Sequence, residues 1–310
     1  MLSRRNIRVK VMQTLYGLDN SDNGTLLRKA QTVLSQKIEK SRDLFTYLLF
    51  FTTEVARYTE VNARQKASKY LPTKEDLTLN TKLAGNELLW KIVDGAEFKK
   101  TVQDGKMEAI IDRNLVKKIF QQLLDSEEYL EYIEIESRNK KGEKAILEFI
   151  FNSLMLPSED FINHIEELFI NWDDDAEMMQ LLVQNYLAKP NATAHREILS
   201  GEKKDFAGEL LETVIRKDEF TRTLIDPKLN NWDAERIATL DLIILKMGVC
   251  EFLYFETIPT KVTINEYIDL AKQYSTEQSG HFVNGLLDNI HKELQSQNKI
   301  EKTKYKNSII

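Results

Sequence analysis

Apolar residues recur at three- and four-residue intervals along nearly the whole chain, and nowhere does a long apolar–polar alternation appear. The spacing predicts helices throughout and no extended strand. VKVMQTLY sets Val9, Met12 and Tyr16 near one helical face, with Arg5, Arg8 and Lys10 largely off it. SDNGT (21–25) breaks the pattern, and the apolar-rich stretch to Pro72 predicts two helices. LAGNELLWKIV and RNLVKKIFQQLLDSEEYLEYI predict a third and a fourth. NKKGEK (139–144) reads as a polar turn, KAILEFIFNSLML runs to Pro157, and SEDFINHIEELFI follows. DDDAEMMQLLVQNYLA opens on acids where a helix dipole favours them and stops before Pro190. Residues 189–204 are the most loop-like stretch, and helices are predicted over 205–222, 233–254, 262–274 and 279–294.

Composition sharpens this to a soluble, all-α class. Only 11 Gly and 5 Pro occur in 310 residues, too few for a turn-dense β architecture. No apolar run reaches the roughly 18–20 residues of a membrane span. With one cysteine, Cys250, no internal disulfide can form, and a reducing, cytoplasmic setting is expected. Charge is uneven. Residues 1–18 carry Arg4, Arg5, Arg8 and Lys10 and no acid, whereas the remainder holds 39 basic and 49 acidic groups. An acidic body repels nucleic acid at range, so binding of that kind has to be local and salt-sensitive. The tail KIEKTKYKNSII is a second basic patch, with four Lys and one Glu.

The last third is the most informative. Ile237 to Leu253 is apolar on most sides and predicts a central helix. Gly285 falls inside a later helix, where Gly costs about 1 kcal/mol relative to Ala. Close packing of another helix over the missing side chain is the expected reason. His281 and Phe282 lie in that helix's first turn, where free N–H groups can receive a phosphate. Phe282 reads first as a core residue and second as a ring on which a base could stack.

IPTKVTINEYIDLAKQYSTEQSGHFVNGLLDNI closely resembles the C-terminal signature of the NusB family of transcription antitermination factors. RRNIRVKVMQTLY resembles that family's Arg-rich first helix, and NWDAERIATLDLIILKMGVCEFL its central one. The resemblance implies an all-α, NusB-like helical bundle, enlarged here by a helical subdomain. Its core would be residues 1–19 and 205–296, with an insertion at 20–204 and a basic flexible tail at 297–310. It also implies a non-enzymatic protein without cofactors. Such a protein binds single-stranded boxA-type RNA together with NusE, a small-subunit ribosomal protein. The RNA polymerase antitermination complex is the further partner, promoting ribosomal RNA transcription.

Matched position by position, Arg4, Arg5, Arg8, Lys10 and Gln13 would contact RNA, joined by Lys261, His281 and Phe282. Tyr16 serves either the RNA or the NusE surface and is placed with NusE, beside Glu235 and Asp241. Asn6 departs from the family by standing where another Arg is common. Glu251 reads as a buried, paired carboxylate, and Asn265 and Glu266 as posts holding the helix pair together.

Enzyme chemistry finds little footing. The four His show no metal-ligand spacing, and no Gly-rich phosphate loop or nucleophile elbow occurs. The rival to RNA binding is a helical interaction scaffold that kept the fold and lost the RNA.

Overall fold

A computed structural model of the chain describes residues 2–18, 23–71, 73–74, 79–190, 195, 198–231, 238–276 and 278–303. The architecture is all-α, with no strand among the described residues. Two compact units divide the chain: Ile38–Ile198, and Leu2–Lys37 with Leu199–Ile310.

The second unit begins with α1 (Arg4–Tyr16), capped by Ser3, whose hydroxyl accepts from the Asn6 N–H. After α2 (Asn23–Ala67), which belongs to both units, it resumes far along the chain. The centre of this unit is the apolar helix Thr239–Tyr254, buried on most sides from Asp241 to Phe252. Thr260–Tyr274 and Ser279–Ser296 pack on that central helix and on each other, and α1 and Gly201–Arg216 cover it from another side. Two glycines let these helices close. A Cβ on Gly248 would stand 2.9 Å from Leu287 Cδ2, and one on Gly280 would stand 2.6 Å from Lys272 Cγ.

Gly285 differs from what the sequence predicts. A Cβ there meets nothing within 4 Å, and the residue is exposed, so close packing does not explain it.

The first unit contains the rest of α2, then α3 (Glu87–Val93), α4 (Ala96–Asp104), α5 (Met107–Ile110) and α6 (Arg113–Leu124). These are followed by α7 (Glu127–Glu134), α8 (Lys140–Phe149), α9 (Glu159–Leu168) and α10 (Trp172–Ala188). The helices of the second unit continue as α11 (Gly201–Arg216), α12 (Asp218–Ile225), α13 (Thr239–Tyr254), α14 (Thr260–Tyr274) and α15 (Ser279–Ser296). Leu44, Phe45, Tyr47, Leu48 and Phe51 of α2 form much of the first unit's core.

Several boundaries correct the sequence reading. The two helices expected before Pro72 are one 45-residue helix, because no Gly or Pro interrupts residues 25–71. NKKGEK is no turn: Asn139 accepts from Gly142 N–H at 2.7 Å and starts α8 there. The helix expected over 113–133 divides at Ser126, whose side chain caps α7. Residues 205–222 divide at Lys217, where the N–H bonds back to Thr213 and a new helix starts. Beyond α8 the backbone widens into a π-helical turn, Ile150–Met155, which no periodicity announces.

The loop-like stretch 189–204 holds a buried histidine. The His195 ring lies among Phe45, Phe98 and Tyr186, with centroids 5.0–5.3 Å away. Thr46 Oγ1 stands 3.1 Å from its Nδ1 and donates its own proton to the Arg42 carbonyl. Nε2 is buried without a partner among the described residues. Burial lowers the His195 pKa to about 4.

Candidate functional site

The N-terminal basic cluster divides into two kinds of residue once the helices are in place. Arg8 lies in the interior, 2% exposed. Its Nε and Nη2 donate to the two Glu251 oxygens at 2.9 and 2.8 Å, and Nη1 donates to Glu266 at 3.2 Å. Thr263 Oγ1 and the Tyr267 hydroxyl also donate to Glu251, at 2.7 and 3.1 Å. Phe206 and Tyr267 lie against the guanidinium, 5.5 and 5.8 Å from its centre. Burial opposes the charge on Arg8, but the Glu251 bonds and the fields of Tyr267, Glu251 and Glu266 hold its pKa above the ordinary arginine value.

Arg4 and Arg5 are different. Both are partly exposed, at 36% and 39% of the side chain. Arg4 pairs with Glu202 at 2.6 Å, and Arg5 reaches Asp269 at 3.4 Å and Gln273 at 3.2 Å. Gln273 is in the last turn of α14, next to Lys272, whose side chain lies across Gly280. The next residue is His281, exposed in the first turn of α15. This chain of contacts sets Arg5 and His281 at the same end of the α14–α15 pair.

The remaining expected residues scatter. Lys261 is exposed, but it starts α14, roughly 18 Å along the helix from Gln273. Tyr16 is 61% exposed at the far end of α1, and Gln13 is half-buried.

Four expected binding residues need correction. Arg8 is committed to Glu251 and Glu266, so it presents no free cation to a phosphate. Lys10 is equally buried, because α1 is covered on most sides from Ile7 to Thr14. The Phe282 ring is 6% exposed and belongs to the core, not to a stacking platform. Asp241 is buried and accepts from Ser279 Oγ at 2.8 Å, so it joins the starts of α13 and α15 and is covered from any partner. Glu235 lies outside the described residues. Asn265 is exposed and is no post, whereas Glu266 ties α14 to α1 through Arg8.

At the start of the tail, Lys302 and Thr303 bond back to the end of α13 and the residues just after it. Lys302 Nζ donates to the carbonyls of Glu251 and Phe255 at 2.9 and 2.8 Å, and Thr303 N–H donates to Glu256 at 3.0 Å. The Glu251 bond reaches a carbonyl in the last turn of α13, where a helix leaves carbonyls open. Burial pulls the Lys302 pKa down to about 8.

Reactive chemistry is scarce around this site. Among the described residues no cluster of three His, Cys, Asp or Glu could hold a metal ion. Burial pushes the Cys250 thiol up to about 12, well away from a reactive thiolate. Nor is any helix among the described residues long and apolar enough to cross a membrane.

Comparison with known proteins decides the lineage. A model described as the NusB family matches residues 165–292. The transcription antitermination protein NusB of Enterococcus faecalis is 35% identical over 108 residues, which cover 33% of this chain and 70% of that protein. The chain belongs to the NusB family. NusB proteins of Salinibacter ruber and Chloroherpeton thalassium are 40% and 37% identical over 100 residues, 32% of this chain in each case. The chain spans 62% and 47% of the length of those two relatives. No solved structure matches.

The NusB match runs from within α9 to α15, so the Arg8–Glu251 pair has only its acidic half inside the matched range. Glu202, Phe206, Asp269 and Gln273, which surround the Arg4–Arg5 end, were not foreseen. An acid on an exposed helix face has no pattern that marks it as an arginine's partner.

Proposed function

We propose that this chain is a non-enzymatic, cytoplasmic transcription antitermination factor that binds single-stranded boxA-type RNA together with NusE. In this reading it acts in the RNA polymerase antitermination complex during ribosomal RNA synthesis. The observation that carries the proposal is the pair of partly exposed arginines Arg4 and Arg5 at the start of α1, with Arg5 and His281 at the same end of α14 and α15. Guanidinium groups bind phosphates bidentately and stack on unpaired bases, and a histidine ring donates to a phosphate or base edge. Membership of the NusB family supports it, as do the NusB proteins named for transcription antitermination. The family core is read as residues 1–19 and 205–296, with 297–310 a basic tail; of the addition read at 20–204, residues 165–204 fall inside the family match. Tyr16 and the segment around Glu235 are assigned to the NusE side. Arg8, Lys10, Phe282 and Asp241 are assigned to the scaffold.

One observation favours the rival scaffold reading: Arg4 and Arg5 already have acidic partners, Glu202 and Asp269. Both pairs are partly exposed, and such pairs are weak enough for a phosphate to displace the acid. Binding of a boxA-type RNA is measured with and without NusE, for wild type and for Arg4→Glu/Arg5→Glu. Binding strengthened by NusE and lost in the double variant is the expected result. Absence of RNA binding at low salt, with NusE present, leaves the scaffold reading.

A further inference from the structure

The first unit contains a cleft that the NusB reading does not use. Its volume is about 570 Å³, within the range of small-molecule sites. One wall is a single face of α2, formed by Phe50, Thr53, Glu54 and Arg57, and the other comes from α4 and its continuation into α5. Phe50, Phe98 and Val102 make a buried apolar floor. The rim is charged, with Arg57, Lys99 and Lys106 against Glu54 and Glu108.

These charges are not equivalent. Glu54 is taken by Arg57 at 2.8 Å and also by Arg113. Lys99 pairs with Asp94 at 2.9 Å. Lys106 has no ion pair among the described residues, and its backbone stands at φ 48°, ψ 37°. L residues enter that left-handed region only at a cost, and such strain concentrates at ligand sites. Gly105, the residue suited to that conformation, stands beside it at φ −77°, where a Cβ would press within 3.1 Å of Met107 Cε. The left-handed position therefore falls to a lysine on the rim of an apolar cleft.

We propose that this cleft binds a small amphipathic carboxylate, its apolar body on Phe50, Phe98 and Val102 and its anion at Lys106. The rim's excess of one positive charge matches one carboxylate. Glu108 is the opposing charge and limits affinity.

The full chain is titrated calorimetrically with decanoate below its micelle-forming concentration, and with decanol as the uncharged control. Saturable one-to-one binding of decanoate is expected, about tenfold tighter than decanol, the usual worth of a charge-assisted hydrogen bond. Lys106→Gln should lose about that tenfold, Glu108→Gln should bind more tightly than wild type, and Val102→Trp should fill the cleft and abolish binding. The two Gln substitutions are at exposed positions, so their outcome does not depend on whether Val102→Trp folds. Absence of saturable decanoate binding overturns the proposal. So does binding that is indifferent to Lys106→Gln and Glu108→Gln.

Discussion

Arg8 and Glu251, 243 positions apart in sequence, meet through two side-by-side hydrogen bonds of 2.9 and 2.8 Å in the interior of the second unit. Glu251 receives four donors in all, and Glu266 takes a further Arg8 N–H. A basic residue expected on the RNA surface instead fastens α1 to α13 and α14.

Removing one partner leaves the other charge buried and uncompensated. Arg8→Met is expected to cost about 3–5 kcal/mol, measured by urea unfolding. Arg8→Met/Glu251→Met should recover most of that loss, because apolar groups of similar volume replace the pair. Equal stability of Arg8→Met and wild type would mean that the pair contributes nothing.

The glycines give a prediction of opposite signs. Gly285→Ala adds a Cβ into open space in a helix interior and should stabilise by about 0.5–1 kcal/mol. Gly248→Ala drives a Cβ to 2.9 Å from Leu287 and should destabilise. Thermal unfolding of both variants checks the pair. Gly248→Ala as stable as Gly285→Ala would show that the α13–α15 approach yields easily.

His195 predicts an acid limb in the first unit's stability. Its folded pKa is about 4, against roughly 6.5 when unfolded. Between those values the unfolded chain takes up a proton that the folded chain refuses, so stability falls as pH drops from about 6.5 to about 4. The loss amounts to about 3 kcal/mol. Among the described residues no carboxylate pairs with the ring; its neighbours there are Thr46, Phe45, Phe98 and Tyr186, whose hydroxyl pKa is itself raised by burial to about 12. His195→Phe should flatten this limb in urea unfolding followed across that range. An identical slope in the variant would place the titrating group elsewhere.

The signature helices were legible because their apolar stripes and caps are local. The expected 262–274 and 279–294 became Thr260–Tyr274 and Ser279–Ser296. The length of α2 was misread: two helices were expected in a stretch that contains no Gly or Pro to break one. The fate of Arg8 was only half legible. Glu251, an acid within an apolar run, demands a buried partner, but nothing local says that the partner is at position 8. Helical phase could not single out Arg8 and Lys10 either, since α1 is buried on most sides and lacks one clear polar face. His195 was hidden in a stretch whose Pro, Asn and Thr suggested a surface loop.

The division between buried and exposed arginines makes the RNA reading quantitative. Binding that used all four cations of the opening helix would be weakened alike by changing any of them. With Arg8 and Lys10 enclosed, only Arg4 and Arg5 should release counterions from that helix on binding. Arg4→Ala and Arg5→Ala should each lower the slope of log K against log salt by about 0.7 for a single strand. Arg8→Met/Glu251→Met, if folded, should leave the slope unchanged. Filter binding of a boxA-type RNA from about 50 to 200 mM salt measures all three. A slope reduced by the Arg8 variant and untouched by the Arg4 and Arg5 variants would return the RNA to the buried side of α1 and require that helix to open on binding.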